Sequence, residues 1–151
     1  MLYLISKSDF LGATETDNVV TDIDLASNAK FKSYVIGPNT GSMTSTEVID
    51  KAGNISHVSN DIAVQFNKME TAKRVEMNAM ALVDMVGIAK DMNGKFWLLG
   101  ADDRWPLNKS AGDGNTGTQI SDANRYALTL NAITAGYPPE VDPDLIPTIV
   151  E

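Results

Sequence analysis

The chain contains no cysteine. That excludes disulfides, thiolate metal ligands and cysteine nucleophiles, and it fits synthesis in a reducing cytoplasm. It contains one histidine, His57, so a metal centre of the usual His/Cys type has little to be built from. Basic residues are scarce: 12 lysines and arginines against 20 aspartates and glutamates leave a net charge of −8. Such a surface repels phosphate backbones, and no basic stripe offsets it, which argues against sequence-specific nucleic-acid binding. Long apolar runs are also missing. The longest, Leu2 to Ile5 and Ala79 to Val83, reach only about five residues, where a bilayer span takes about 20. The opening Met1-Leu2-Tyr3-Leu4-Ile5-Ser6-Lys7 has no basic region ahead of a long apolar segment and reads as a β-strand, not a signal peptide. No internal repeat of about 20 to 50 residues is found.

What is present is an ordinary folding composition. Of 151 residues, 43% are hydrophobic and 21% charged, which predicts one folded domain rather than a disordered chain. Leu2 to Ile5 and Phe31 to Ile36 are rich in strand formers, with a mixed segment, Val19 to Leu25, between them. Gly37-Pro38-Asn39-Thr40-Gly41-Ser42 breaks the pattern. Asp50 to Asn54 is a second turn, between Val48-Ile49 and Ile55 to Val58. Ile62, Val64 and Phe66 alternate with Ala63 and Gln65 as a half-buried strand. Asn67 then stands three residues ahead of Glu70, the arrangement of a capping box. Ala72, Val75, Ala79 and Leu82 fall on one helical face, which predicts a helix over 68–82 with that face against the sheet.

Val83 to Lys90 reads as a strand, and Asp91-Met92-Asn93-Gly94 as a two-residue hairpin turn with positive φ, returning through Phe96 to Leu99. Ser110 to Asn124 is rich in Gly, Ser, Thr, Asn and Asp and is expected to be a loop. Tyr126, Leu128 and Leu130 begin a last strand that runs to Thr134. From Pro138 the chain carries four prolines (Pro138, Pro139, Pro143 and Pro147), a density that argues against helix and central strand. The expected organisation is one β-rich domain, residues 1–137, followed by an extended acidic arm, residues 138–151. Val141, Leu145, Ile146, Ile149 and Val150 of that arm would dock on a neighbouring subunit or an adjacent ring.

No motif makes a case for catalysis. Gly112-Asp113-Gly114-Asn115-Thr116-Gly117 matches G-x-G-x-x-G, but a dinucleotide site needs a following helix, and the residues beyond read as loop and strand. Asp113, Asn115 and Asp122 lack the ligand spacing and closing glutamate of a calcium loop. His57 could be combined with Ser56 or Ser59 and Asp50 or Asp61 on paper. No nucleophile elbow accompanies them, and a surface histidine in a hairpin is the simpler reading. Asp102-Asp103 beside Arg104-Trp105 reads as a solvated turn whose Trp105-Pro106-Leu107 covers a core edge or meets a partner. Met69, Met77, Met80, Met85 and Met92 read first as flexible core filling and second as a partner groove. The expectation is no enzyme, with no catalytic, cofactor-binding or metal residues.

One set of features carries a resemblance. Ile62 to Phe66 leads through Asn67-Lys68-Met69 into a helix containing Ala72-Lys73-Arg74. Then come Ala89-Lys90-Asp91, a turn at Asn93-Gly94-Lys95, Phe96-Trp97-Leu98-Leu99-Gly100, a polar loop, Ser121-Asp122-Ala123-Asn124-Arg125-Tyr126, and the exit Tyr137-Pro138-Pro139. This order, over residues 60–142, resembles the structural tail proteins of tailed bacteriophages of Bacteroidetes-type hosts, crAss-like phages included. The resemblance implies a mainly β (α+β), tail-tube-like domain: an antiparallel β-sandwich or barrel with one flanking helix. It further implies a virion structural protein, made in the host cytoplasm, that assembles as a homo-oligomer into a ring of six or more copies or a tube. Its partners would be other phage tail or neck proteins, with no membrane involved and DNA passing through without sticking. It leaves open tube subunit, neck ring or terminator. The alternative is a capsid decoration or adhesin-like binding module.

Overall fold

The computed structural model describes all residues, Met1–Glu151. The strands are β1 (Leu2–Ser6), β2 (Phe10–Thr16), β3 (Val19–Leu25), β4 (Lys32–Tyr34), β5 (Gly41–Asp50), β6 (Ile55–Asn67), β7 (Met85–Lys90), β8 (Phe96–Leu99), β9 (Asn108–Asn115), β10 (Arg125–Thr134) and β11 (Glu140–Val141). Two short helices, α1 (Thr71–Ala79) and α2 (Ile146–Ile149), complete a mainly β fold. The strands form a seven-stranded sheet, β2-β3-β11-β8-β7-β1-β4, and a four-stranded sheet, β5-β6-β10-β9. All pairings are antiparallel except β11 with β3.

The larger sheet is the middle layer. Alternation sends Leu2, Leu4, Met85, Ala89 and Leu99 to one side, against Ile62, Val64, Leu128, Leu130 and Ala132 of the smaller sheet. It sends Tyr3, Ile5, Val86, Ile88, Phe96 and Leu98 to the other side, where Phe31, Ile146 and Ile149 cover them. With both faces buried, β1 and β7 read as nearly unbroken apolar runs, whereas the smaller sheet has one wet face and alternates. Asn60 is the single buried polar residue on the inner face of that sheet. It accepts from the Ser45 hydroxyl (2.6 Å) and donates to Ala132 O (3.4 Å) and Thr134 Oγ1 (2.9 Å). These bonds tie β5, β6 and β10 into one register, because a slip by one residue would turn Asn60 outward.

Four local expectations are corrected. The helix begins at Thr71, not residue 68, and no capping box forms: Asn67 ends β6, Lys68 takes φ +64°, and Glu70 occupies the N-cap without a side-chain bond. A short 3-10 turn, Met80–Leu82, extends it. Its buried residues are Met77 and Met80, whereas Val75 is exposed and Leu82 is 99% exposed. The expected face was therefore wrong. A three-turn helix held at both ends rotates to bury its largest flexible side chains, and methionine removes more area from water than alanine.

Asn93-Gly94 does form the tip of a hairpin with positive φ at Gly94 (+84°), but not at Asn93. The turn is a three-residue one, closed by Asp91 N–H to Lys95 O (2.9 Å) with Gly94 N–H to Asp91 O (3.3 Å). The expected loop over 110–124 is strand as far as Asn115. β9 pairs with β10 from Asn131↔Asn108 to Arg125↔Asn115, with one bulge. Gly114 fits closely there: a Cβ would lie 3.0 Å from the Tyr126 ring, which would have to give by a few tenths of an ångström.

The extended arm, finally, does not exist as such. Glu140 and Val141 insert between β3 and β8, and Val141 is 0% exposed. The prolines avoid every position where a ladder N–H is needed. Pro139 supplies only its carbonyl, to Leu98 N–H (3.0 Å). Pro143 opens a 3-10 turn capped by Asp142, and Pro147 lies in the first turn of α2, where the N–H is free anyway. Residues 138–151 are thus part of the domain rather than an addition to 1–137.

Candidate functional site

The smaller sheet turns one face to solvent, and alternation fixes its residues. Ser42, Thr44, Thr46 and Val48 come from β5, His57, Ser59, Asp61, Ala63 and Gln65 from β6, and Ala127, Thr129, Asn131 and Ile133 from β10. The surface is polar and short-chained. Asn131 Nδ2 donates to Ser59 Oγ (3.0 Å) and to Asp61 Oδ1 (2.8 Å), and Arg125 donates to Gln65 Oε1 (2.8 Å). These cross-strand bonds link β6 and β10 and occupy the half-buried Arg125 guanidinium.

Both edges of this sheet are unpaired. The β5 edge runs ten residues, Gly41–Asp50, with neither proline nor lysine, the devices that usually protect an edge. β5 and β6 also outrun the rest of the sheet. β10 ends opposite Val58, so the hairpin from Glu47 to His57 projects alone, with Val48, Ile49 and Ile55 exposed.

Beside the β9 edge lies a groove of about 480 Å³, lined by Asp84, Asp103, Arg104, Trp105, Pro106, Asn108, Ser110, Asn131 and Ile133. Trp105 is 52% exposed. Asp103 pairs with Lys7 at 2.9 Å, while the Arg104 guanidinium has only Asp102, at 4.0 Å. A second depression holds Lys32, Tyr34 and Glu76. Lys32 pairs with Glu76, which also accepts from the Tyr34 hydroxyl at 2.9 Å. The Lys32 hydrogen bond lowers the Glu76 carboxyl below its usual range, and burial, reinforced by Glu76, raises the Tyr34 hydroxyl well above its own.

Hydrogen bonds do not join the sequence candidates for chemistry into a set; several are bound to other partners. No hydrogen bond joins His57 to Ser56, Ser59, Asp50 or Asp61. Asp50 accepts from Ala52 and Gly53 N–H within its own turn, and Ser59 and Asp61 are bound to Asn131. Asp122 accepts from Thr118 N–H, Thr118 Oγ1 and Gln119 N–H, which lower its carboxyl, and Asn115 accepts from Gly117 N–H. The G-x-G-x-x-G letters lie on β9 and the turn after it, with no helix following. Asp102 accepts from Arg104 N–H (2.8 Å). Met77, Met80 and Met85 are core residues, Met69 is half-buried and Met92 is exposed. The β9 edge, which lines the site, was hidden in the sequence by its Gly, Ser and Asn content.

No helix is long and apolar enough to cross a membrane. Comparison with protein-family models, with curated proteins and with solved structures found no match to this chain.

Proposed function

We propose that the protein is a non-enzymatic structural subunit of a phage tail or neck, closing through its four-stranded sheet into a ring that surrounds passing DNA. The observation that carries the reading is the pair of open edges on a four-stranded antiparallel sheet. Four alternating strands leave β5 and β9 running in opposite directions. When identical copies stand side by side around an axis along the strands, β9 of one meets β5 of the next antiparallel. A head-to-tail contact of this kind closes into a ring when the rotation per copy divides the circle, and closure removes both free edges of the smaller sheet.

The sign of the charge supports the same reading. A net charge of −8 and a solvent face of Ser, Thr, Asn and Asp give phosphate nothing to hold, as a conduit for DNA requires. The resemblance of residues 60–142 to phage tail proteins points the same way. One observation favours a capsid decoration or adhesin-like module instead: the half-exposed Trp105 in its groove, an aromatic platform for a ligand.

Size-exclusion chromatography with light scattering, followed by negative-stain imaging over a concentration series, separates the two. Closed rings or stacked tubes are the expected outcome. A monomer at every concentration overturns the ring.

A further inference from the structure

The smaller sheet sets where neighbouring copies would touch. Pairing places Thr44 level with Asp61, Asp61 level with Asn131, and Asn131 level with Asn108. Continued straight across a β9–β5 boundary, the ladder puts Thr44 of the next copy beside Asn108. β5 then runs on to Asp50, a reach of about 20 Å at about 3.3 Å per residue. Trp105 shares its groove with Ile133, which pairing places level with Ser59 and so with Thr46, two positions further along than Thr44. The projecting hairpin therefore passes Trp105 even if the closed sheet is staggered backward by about three residues.

Chemistry and facing agree with this geometry. Val48 lies on the same face of the sheet as Asn131 and Ile133, which line the groove. The hairpin offers three exposed aliphatics and the acids Glu47 and Asp50. The groove offers Trp105, Ile133 and an Arg104 without a close partner. Resting on the ring reading, we infer that the β5–β6 tip of one copy docks in the Trp105 groove of the next, with Val48 against the indole and Asp50, on the same strand face, toward Arg104. This contact positions the edge pairing. Main-chain pairing alone tolerates slippage in a strand of Ser and Thr, and an aromatic anchor at one end removes it.

The test uses the absence of cysteine. Two full-length proteins, Val48→Cys and Arg104→Cys, are mixed and oxidised with copper-phenanthroline. A covalent dimer in the mixture, at several times the yield of either protein alone, is expected. Trp105→Ala, with its circular dichroism and melting temperature unchanged, should raise the concentration of half-assembly by about tenfold or more. Rings that form without cross-linking, and with Trp105→Ala assembling like the parent, would overturn the docking while leaving the ring intact. Val48→Cys that pairs with itself as readily as with Arg104→Cys overturns it too, since that is a two-fold contact. A protein that never associates removes both.

Discussion

At Gly94 the backbone holds φ at +84° with nothing within 4 Å of where a Cβ would stand. Any cost of Gly94→Val is therefore conformational rather than steric, about 1 kcal/mol, and should appear as a lowered urea midpoint at unchanged slope. Tyr34 makes a pH-dependent claim. Its hydroxyl titrates near 10 in an unfolded chain and well above that in the folded one, because burial and the Glu76 carboxylate both oppose its ionisation. A raised folded pKa means stability that is present below pH 10 and lost as the pH climbs beyond it. The gap in stability between the parent and Tyr34→Phe should accordingly shrink between pH 8 and about 11. A gap constant over that range would show that the hydroxyl is not held neutral by the fold.

Among the elements, α1 has the sharpest consequence. Met80 is buried against both sheets' core and Leu82 stands in solvent. Met80→Ala should cost about 2 to 5 kcal/mol, and Leu82→Ala should stay within about 0.5 kcal/mol of the parent. Thermal melts of the two variants side by side check the helix phase directly. The strand-to-helix change after Phe66 was legible from period alone, since alternation of Ile62, Val64 and Phe66 gives way to wider spacing. The phase was not. Two periodic sets fit residues 71–82, and the choice between them depends on what α1 and the 3-10 turn after it land on. β9 shows the opposite failure: Asn108–Asn115 has no strand-forming composition at all. It is a strand because β10 offers it a ladder and because Tyr126 and Met77 fill the space over its glycines.

For the molecule as a whole, the C-terminal residues decide whether there is a fold to assemble. Val141 is a central-strand residue, and Ile146 and Ile149 cover the second core. Deleting residues 138–151 should therefore abolish cooperative unfolding and expose apolar surface to a dye such as ANS, rather than release a folded domain lacking an arm. A truncated protein that melts cooperatively would mean that the seven-stranded sheet closes without β11. The placement of β11 also gives the larger sheet its mixed character, since it joins β3 in parallel and β8 antiparallel.

Composition, alternation and turn chemistry in the sequence determined that this is a β-rich fold with a hairpin at Asn93-Gly94 and a helix after Phe66. Those are short-range properties, carried by neighbours within a few positions. Only the tertiary structure decided which face of α1 is buried, that a glycine-rich stretch is an edge strand, and that a proline-rich end threads the middle of a sheet. Each of these depends on partners far away in the chain: β10 for β9, β3 and β8 for β11. A residue's burial is settled by what is brought against it, and no local pattern encodes that.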